Sequence, residues 1–460
     1  MTQATLSGFD VPRIAAALGE AARTPYAPPH VYPMSAPTFV PEPEAPRPRP
    51  TGIDSGVTKP GSLGVYVHVP FCNYACNFCF YAKKIDENRA LMERYTRAAI
   101  RELQWIEPGT PLSQLYFGGG TPTALPADLL DELLTTVFSR VHPDGGGAVH
   151  TVECSPESFT AEHIAVLDTH GIERMSMGIQ TLDEKVLHTV NRLHSAQTAL
   201  DAIDRLVATG KIINIDLIYG LPGQTEERFR DDFRRVTERG INSVTCYNLR
   251  INEQTPVVRE LKESERLDLD RLLRWRQVVV QTAADNGFVH KTGHTFERPT
   301  EKSRRFSDLT AHGDQFGAGP SARSRIDHTV YRNHSNLQEY LDRVERGASP
   351  VQEVFPFDET RRRTRFVALT LGVNRPLSRA AYHARFGVDF DQEFGDSLHR
   401  FCDAGLVEDR GDSITLSETG TLLYDLTTLA FYPTAIQTWL DERYEAALTK
   451  RKPRKQAAEV

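Results

Sequence analysis

Short apolar runs alternate with amphipathic stretches from Gly64 to about residue 260. Six of these runs are rich in β-branched and aromatic residues: GVYVHVP, QLYFGGG, HTVECSP, RMSMGIQ, INIDLIYGLP and SVTCYNL. The stretches between them carry apolar residues at helical spacing, which is typical of a parallel sheet with crossover helices. We therefore predict an α/β fold, an incomplete (β/α)6 TIM-like barrel that is open on one side. Functional residues of such folds gather at the carboxyl ends of the strands.

The alternation fades after about residue 260, through a predicted helix over Leu267–Asn286, and the pattern becomes helical from about Phe355. A hairpin is predicted across Arg410-Gly411-Asp412. These features indicate a smaller helical, winged-helix-like C-terminal domain. It has no basic face with interleaved aromatic residues, so we expect it to cover a substrate rather than bind DNA.

The first 60 residues begin with a short helical pattern, Val11–Arg23, and continue into a proline-rich run that lacks the N–H groups for regular structure. The predicted organisation has four parts. They are a proline-rich arm or linker over 1–60, a partial barrel over 61–350, a helical domain over 351–447, and a basic, disordered tail over 448–460.

The composition of the chain argues against nucleic acid and membranes as binding partners. The 460-residue chain has a formal net charge of -7, which offers no diffuse basic surface for nucleic acid. No stretch approaches the roughly 20 apolar residues that span a bilayer, and the N-terminus lacks the apolar core of a secretory signal. We predict a cytoplasmic protein, a monomer, without nucleic-acid or membrane partners.

Three of the six cysteines lie close together, as Cys72, Cys76 and Cys79 directly after the first apolar run. Thiolates are the ligands that iron-sulfur clusters require, and three of them would leave the fourth iron of a 4Fe-4S cluster open. A zinc site would need a fourth ligand, for which His68 is the candidate. The remaining cysteines, Cys154, Cys246 and Cys402, are predicted to be buried, inert thiols.

The C-x3-C-x2-C motif, which begins at the last residue of YVHVPFC, resembles the radical SAM superfamily. More narrowly, FGGGTP, VECSPE, RMSMGIQ and NIDLIYGLPGQT resemble the oxygen-independent coproporphyrinogen III oxidase family, including its class C methyltransferase and cyclopropanase relatives. The resemblance implies a 4Fe-4S cluster and S-adenosylmethionine (SAM) as cofactors, a 5′-deoxyadenosyl radical, and an electron donor such as flavodoxin or ferredoxin.

The resemblance also implies two SAM sites, whose residue types are retained here. The cluster-bound SAM would contact Tyr66, Gly119 and Glu153. A second SAM would contact Phe78, Gly120, Thr121, Gln180, Arg192 and Asp216. Two further positions depart from the family pattern, because Asn248 replaces an alanine and Arg323 lies near a position that is usually aliphatic.

Because the second-SAM set is retained, we expect transfer of a methyl or methylene group to a small aromatic or heteroaromatic metabolite. Oxygen-independent coproporphyrinogen decarboxylation is one alternative, with Arg250 and Arg323 as carboxylate partners. The family's additional cysteine is replaced within Cys79-Phe80-Tyr81, which counts against that alternative. A haem-binding chaperone is the other alternative, with candidate iron ligands His290, His294 and His312.

Overall fold

The computed structural model describes residues 9–23, 40–41, 62–143, 145, 149–251, 255–299, 314–326 and 328–449. Most of the proline-rich run, the basic run Lys450–Lys455 and His312 lie outside these ranges. None of the helices within them combines the length and the apolar character that a membrane crossing requires.

The strands and helices of the described ranges are numbered in chain order. The strands are β1 (Val40–Pro41), β2 (Leu63–Val69), β3 (Phe71–Cys72), β4 (Lys84–Ile85), β5 (Thr110–Gly119), β6 (Val141–Pro143), β7 (Thr151–Cys154), β8 (Arg174–Gln180), β9 (Ile212–Tyr219), β10 (Ser243–Asn248), β11 (Val289–Thr292), β12 (Thr295–Glu297), β13 (Asp314–Ala318), β14 (Arg323–Ile326), β15 (Thr329–Asn333), β16 (Val351–Pro356), β17 (Leu377–Ser378), β18 (Val407–Asp409) and β19 (Ser413–Leu416). The helices are α1 (Val11–Leu18), α2 (Arg89–Leu103), α3 (Ala127–Arg140), α4 (Ala161–Thr169), α5 (Glu184–Thr189), α6 (Ala196–Val207), α7 (Glu226–Thr237), α8 (Leu269–Asp285), α9 (Leu337–Glu345), α10 (Glu359–Gly372), α11 (Arg379–Phe386), α12 (Phe390–Asp403), α13 (Glu418–Leu422), α14 (Tyr424–Leu429) and α15 (Thr434–Thr449).

The six predicted runs form strands β2, β5, β7, β8, β9 and β10, which pair in parallel in that order. The α/β partial barrel is therefore confirmed. A seventh parallel strand, β13, pairs with β2 and was not predicted. It was missed because its fourth residue is Gly317, where a Cβ would lie 2.4 Å from the carbonyl oxygen of Arg323, so this position excludes the apolar side chains that mark a strand.

The barrel is open because both of its edges continue into antiparallel strands. β14, β15 and β16 extend the sheet beyond β13, and β12 and β11 extend it beyond β10. β16 belongs to this sheet, so the sheet runs past the predicted boundary at residue 350. The exact domain boundaries stay predictions.

Amphipathic helices cover the outside of the parallel strands. In α6, for example, the Ser195 hydroxyl accepts the Thr198 N–H at 3.0 Å and caps the first turn. The same helix buries Leu200, Ile203 and Leu206 against the core. This packing fixes the strands and directs their carboxyl ends toward one side of the barrel.

The C-terminal domain is helical with a small wing, as predicted. β18 and β19 form the hairpin across Arg410-Gly411-Asp412, and β17 joins them in a three-stranded antiparallel sheet. Helices α13 and α14 are separated at Leu423, and α15 follows Pro433.

Helix α1 falls within the predicted Val11–Arg23 pattern and packs on the body of the protein. It contacts α8 of the barrel and α12 of the C-terminal domain, and it buries Ile14 and Leu18. Further along the arm, β1 pairs with the edge strand β16. These parts of the N-terminal region therefore belong to the packed structure.

Candidate functional site

The cysteine loop follows β2 and lines a cavity of about 410 Å³ at the carboxyl ends of the parallel strands. Short strands β3 and β4 pair to close the loop at its base. Cys76 is buried, whereas Cys72 and Cys79 are half-buried, and none of the three forms a disulfide. The loop therefore presents three free thiols to one enclosed space.

The glycine run at the end of β5, Gly118–Gly120, lies directly against the cysteine loop. The Gly120 N–H donates to the Val69 carbonyl and the Thr121 N–H to the Phe71 carbonyl, both at 2.7 Å. A Cβ on Gly120 would lie 2.5 Å from the Phe71 oxygen. Gly119 has a φ of +110°, and a Cβ there would lie 2.6 Å from the His68 ring. Only glycine permits this approach of two backbones.

A second segment, Thr189–His194, holds the cysteine loop from the other side. The Asn77 N–H donates to the Val190 carbonyl at 3.1 Å, and the Asn77 amide donates to the Thr189 carbonyl at 2.9 Å. The Asn191 amide donates to the Ala75 carbonyl at 2.7 Å. These bonds fix the loop on which the thiols lie.

His68 lies beneath the loop and is fully engaged by neighbouring groups. Its Nε2 lies 2.8 Å from the Ala82 carbonyl, which can only accept, so Nε2 donates and Nδ1 accepts the Tyr66 hydroxyl proton at 3.1 Å. Burial lowers the pKa of His68 to about 4. The ring therefore ties β2 to the loop as a neutral group and leaves no nitrogen for a zinc ion.

Two carboxylates, Glu153 and Asp216, enter the cavity from β7 and β9. Glu153 accepts the Tyr116 hydroxyl at 2.6 Å and the Gly119 N–H at 3.3 Å. Asp216 accepts the Asn214 amide at 2.7 Å. Burial raises the pKa of Glu153 to about 7 and that of Asp216 to about 6. A bound cation would favour the ionised form of each group.

All twelve residues that the sequence predicted for the cluster and the SAM molecules line this one cavity. They are Tyr66, Cys72, Cys76, Phe78, Cys79, Gly119, Gly120, Thr121, Glu153, Gln180, Arg192 and Asp216. Gln180 has a φ of +75°, an uncommon conformation for a residue with a side chain. Their individual roles in binding stay predictions.

Of the other residues that the sequence analysis named as candidates, some line the cavity and some do not. Asn248 and Arg250 line the cavity, whereas Arg323 is not among its lining residues. Of the two described histidine candidates, His290 bonds to the Gly293 carbonyl and His294 bonds to Arg250, and neither lines the cavity.

Sequence reasoning missed several cavity residues, chiefly aromatic ones. Tyr74, Tyr81 and Tyr247 line the cavity. Tyr81 is 54% exposed and Tyr247 is 36% exposed. Tyr74 and Tyr81 adjoin the cysteine motif, and Tyr247 occurs in the sixth apolar run. Their proximity to the cysteine motif or to the end of a predicted strand could have identified these tyrosines as cavity residues.

The three thiols fit a polynuclear cluster better than a single ion. Among the described residues, no three Cys, His, Asp or Glu side chains are placed to hold one metal ion together. A cluster requires no such convergence, because each thiolate binds its own iron. Burial raises the pKa of Cys72 to about 11, so iron would displace the proton of this thiol on binding.

Comparison with known proteins gives matches over both domains. A radical SAM superfamily model matches residues 66–236, and a HemN C-terminal domain model matches residues 357–423. The oxygen-independent coproporphyrinogen III oxidase of Synechocystis sp. is 25% identical over 398 residues, which cover 81% of this chain and 85% of that protein. The heme chaperone HemW of Lactococcus lactis subsp. lactis is 30% identical over 286 residues, 62% of this chain and 74% of that protein.

A solved structure agrees with the fold. The coproporphyrinogen III oxidase from Escherichia coli, described as a radical SAM enzyme, superimposes with a TM-score of 0.72 at 24% sequence identity. The superposition covers 80% of this chain and 90% of that chain. The partial barrel and its C-terminal domain thus share the architecture of that protein.

Proposed function

Since the chain belongs to the radical SAM superfamily, in the family of coproporphyrinogen III oxidase and the heme chaperone HemW, we propose that it is a SAM-cleaving enzyme acting on a carboxylate-bearing tetrapyrrole. Proteins of this superfamily bind a 4Fe-4S cluster and SAM. When bound, these cofactors supply one-electron cleavage of SAM to methionine and a 5′-deoxyadenosyl radical. The names of both relatives concern tetrapyrroles, coproporphyrinogen and heme, and neither concerns methyl transfer.

The expected preference for methyl or methylene transfer to a small aromatic metabolite is therefore not supported. The tetrapyrrole alternatives fit the relatives better. The six residues predicted for a second SAM do line the cavity, but the resemblance assigns them to the oxidase as well, so they do not distinguish the two chemistries. Methyl transfer remains an outcome that product analysis would reveal.

The observation that carries the proposal is the combination of aromatic rings and an arginine on the cavity wall. Tyr81 and Tyr247 line the cavity and are exposed, and aromatic side chains there suit the flat face of a large conjugated or pyrrolic ligand. Arg250 lines the same wall, and its Nη2 lies 3.2 Å from the His294 Nε2, which orients the guanidinium. A guanidinium in such a position suits a substrate carboxylate.

The family resemblance implies roles for twelve of the residues that line the cavity. We assign Cys72, Cys76 and Cys79 to the cluster, and Tyr66, Gly119 and Glu153 to the SAM that binds to it. The ionised Glu153 would pair with the SAM ammonium group. Phe78, Gly120, Thr121, Gln180, Arg192 and Asp216 are assigned to a second SAM.

The test is substrate-dependent SAM cleavage. The protein is reconstituted anaerobically with iron and sulfide, reduced with dithionite, and incubated with SAM and either coproporphyrinogen III or heme. We expect one of these tetrapyrroles to raise 5′-deoxyadenosine formation above the substrate-free rate. Arg250→Gln should reduce that stimulation at least several-fold, whereas Arg259→Gln, which changes an exposed arginine outside the cavity wall, should not.

The products then identify the reaction. Loss of carboxyl groups from coproporphyrinogen indicates decarboxylation, and S-adenosylhomocysteine with an altered tetrapyrrole indicates methyl transfer. SAM cleavage that neither tetrapyrrole stimulates would contradict the proposal, as would tight heme binding without any cleavage.

A further inference from the structure

Arg192 reaches from the Thr189–His194 segment to the thiol of Cys76. Its Nη1 lies 3.5 Å from the Cys76 Sγ, within the range of a hydrogen bond to sulfur. Nη2 of the same guanidinium donates to the Gly178 carbonyl, and the guanidinium carbon lies 5.4 Å from the centre of the Tyr74 ring. Arg192 is 8% exposed, so solvent screens its charge only weakly.

We propose that Arg192 is a positioning residue for the cluster, and that its hydrogen bond and charge at Cys76 raise the cluster's reduction potential. The inference rests on the part of the proposed function that places a cluster on the three thiolates. It does not depend on the identity of the substrate. The role differs from the SAM contact assigned to Arg192 above, since it acts through the sulfur atom.

The physical basis is electrostatic. One-electron reduction makes the cluster and its thiolates more negative, so a cation that donates to a ligating sulfur stabilises the reduced state more than the oxidised state. Burial strengthens this effect because the effective dielectric constant is low. Removal of the donor and its charge therefore lowers the potential.

Among the described residues around the thiols, Arg192 is the cation that donates directly to a sulfur atom. The Thr121 hydroxyl donates to Cys72 Sγ at 3.8 Å, a longer contact from a neutral group. Lys83 donates to the Cys79 carbonyl at 2.7 Å, not to a sulfur. Glu157 carries the opposite charge, but its carboxylate accepts the Tyr74 hydroxyl at 2.8 Å and lies 3.3 Å from the His194 Nδ1.

The third nitrogen of the guanidinium supports a ligand-facing role. Nε of Arg192 is buried and has no hydrogen-bond partner among the described residues. A buried donor without a partner is costly, so a group absent from the protein chain is expected to accept from it. Nε thus remains available to a cluster sulfide or to a bound ligand while Nη1 stays on Cys76.

The experiment is a redox titration of the reconstituted cluster followed by electron paramagnetic resonance, without SAM and without substrate. Arg192→Met removes the charge and every donor at similar length, and Arg192→Lys keeps the charge but not the planar fork. We expect the reduction potential of the cluster to be highest in the wild type, lower in Arg192→Lys and lowest in Arg192→Met. A tenfold lower ratio of reduced to oxidised cluster at a fixed potential corresponds to 59 mV.

The matched control is Arg205→Met. Arg205 also carries a guanidinium over an aromatic ring, Phe159, and donates to the Pro156 carbonyl, but it does not line the cavity. Its substitution should leave the potential unchanged.

The proposal is overturned if Arg192→Met holds the wild-type amount of iron and sulfide and titrates at the wild-type potential, or if Arg205→Met shifts the potential equally. If Arg192→Met holds no cluster, the comparison passes to Arg192→Lys and Arg192→Gln. Wild-type potentials in both of those variants would equally overturn it. Because SAM and tetrapyrrole are absent, failure of the proposed substrate cannot produce any of these results.

Discussion

Arg276 of α8 and Asp425 of α14 form a two-pronged ion pair between the barrel and the C-terminal domain. Nη1 and Nη2 of Arg276 each lie 2.6 Å from a carboxylate oxygen of Asp425. The two side chains are 6% and 2% exposed. Arg276 also donates to the Leu422 carbonyl at 2.6 Å, so one guanidinium holds the start of the final helical segment against the barrel.

Replacement of Asp425 by asparagine should lower the free energy of unfolding by about 3–5 kcal/mol, because it leaves the Arg276 charge buried without its counter-charge. The control is Asp270→Asn, which breaks the exposed pair between Asp270 and Arg274 on the same helix and should cost less than about 0.5 kcal/mol. Urea denaturation of the two variants measures the difference. Equal small losses would show that the buried pair does not join the domains.

Replacement of Cys72, Cys76 or Cys79 by alanine should abolish cluster assembly and SAM cleavage together, because each thiolate binds a different iron. Iron content and visible absorbance after reconstitution measure the first effect, and chromatography of SAM products measures the second. Cys402→Ala serves as the control, since this free thiol lies on α12 of the C-terminal domain. Wild-type iron content in any of the three loop variants would contradict the assignment.

The affinity for SAM should rise as the pH increases through about 7. Burial raises the pKa of Glu153 to about 7, so the carboxylate that would pair with the SAM ammonium group is mostly protonated at pH 6 and mostly ionised at pH 7.5. The ionised fraction of a group with this pKa changes about eightfold over that interval. Calorimetric titration of the reconstituted protein with SAM at both pH values measures the change.

Glu153→Gln should weaken SAM binding at both pH values and remove most of the pH dependence. Glu162→Gln, at an exposed position in the first turn of α4, should leave both unchanged. The same pH dependence in wild type and Glu153→Gln would assign the titration to another group, such as Asp216.

Replacement of Gly120 by alanine should displace the cysteine loop. The added Cβ would lie 2.5 Å from the Phe71 carbonyl oxygen, a backbone atom that moves only with the loop. Overpacking of this kind costs about 1–3 kcal/mol. We expect a lower melting temperature and lower iron content after reconstitution.

Gly372→Ala is the steric control for Gly120→Ala. Its Cβ would meet the Thr428 Cγ2 at 3.8 Å, an ordinary van der Waals contact. If the two variants matched each other in melting temperature and in iron content, the close approach at Gly120 would have no structural consequence.

The sequence was most informative where a buried element has a continuous apolar pattern. The six parallel strands were predicted because buried parallel strands are near-continuous apolar runs. β13 through β16 were missed because Gly317 and arginines such as Arg323 and Arg332 interrupt that pattern. Edge strands with polar residues do not differ locally from loops.

The candidate site likewise has features that a local sequence pattern predicts and contacts that it does not predict. The cysteine spacing and the glycine run are local patterns, so the sequence predicted them directly. The contact between Arg192 and Cys76 joins residues 116 positions apart, and that between Tyr74 and Glu157 joins residues 83 apart. Such contacts depend on how loops from different strands meet, which no local pattern records.

Helix α1 has a consequence for the order of events during synthesis. Helix α1 buries Ile14 and Leu18 and contacts α8 and α12, which end at residues 285 and 403. At about 5–20 residues per second, the ribosome needs roughly 20–80 s to reach the end of α12 after it has made α1. During that interval α1 lacks at least one of the two helices that contact it in the folded protein, so the burial of its apolar face is completed only after α12 has been made.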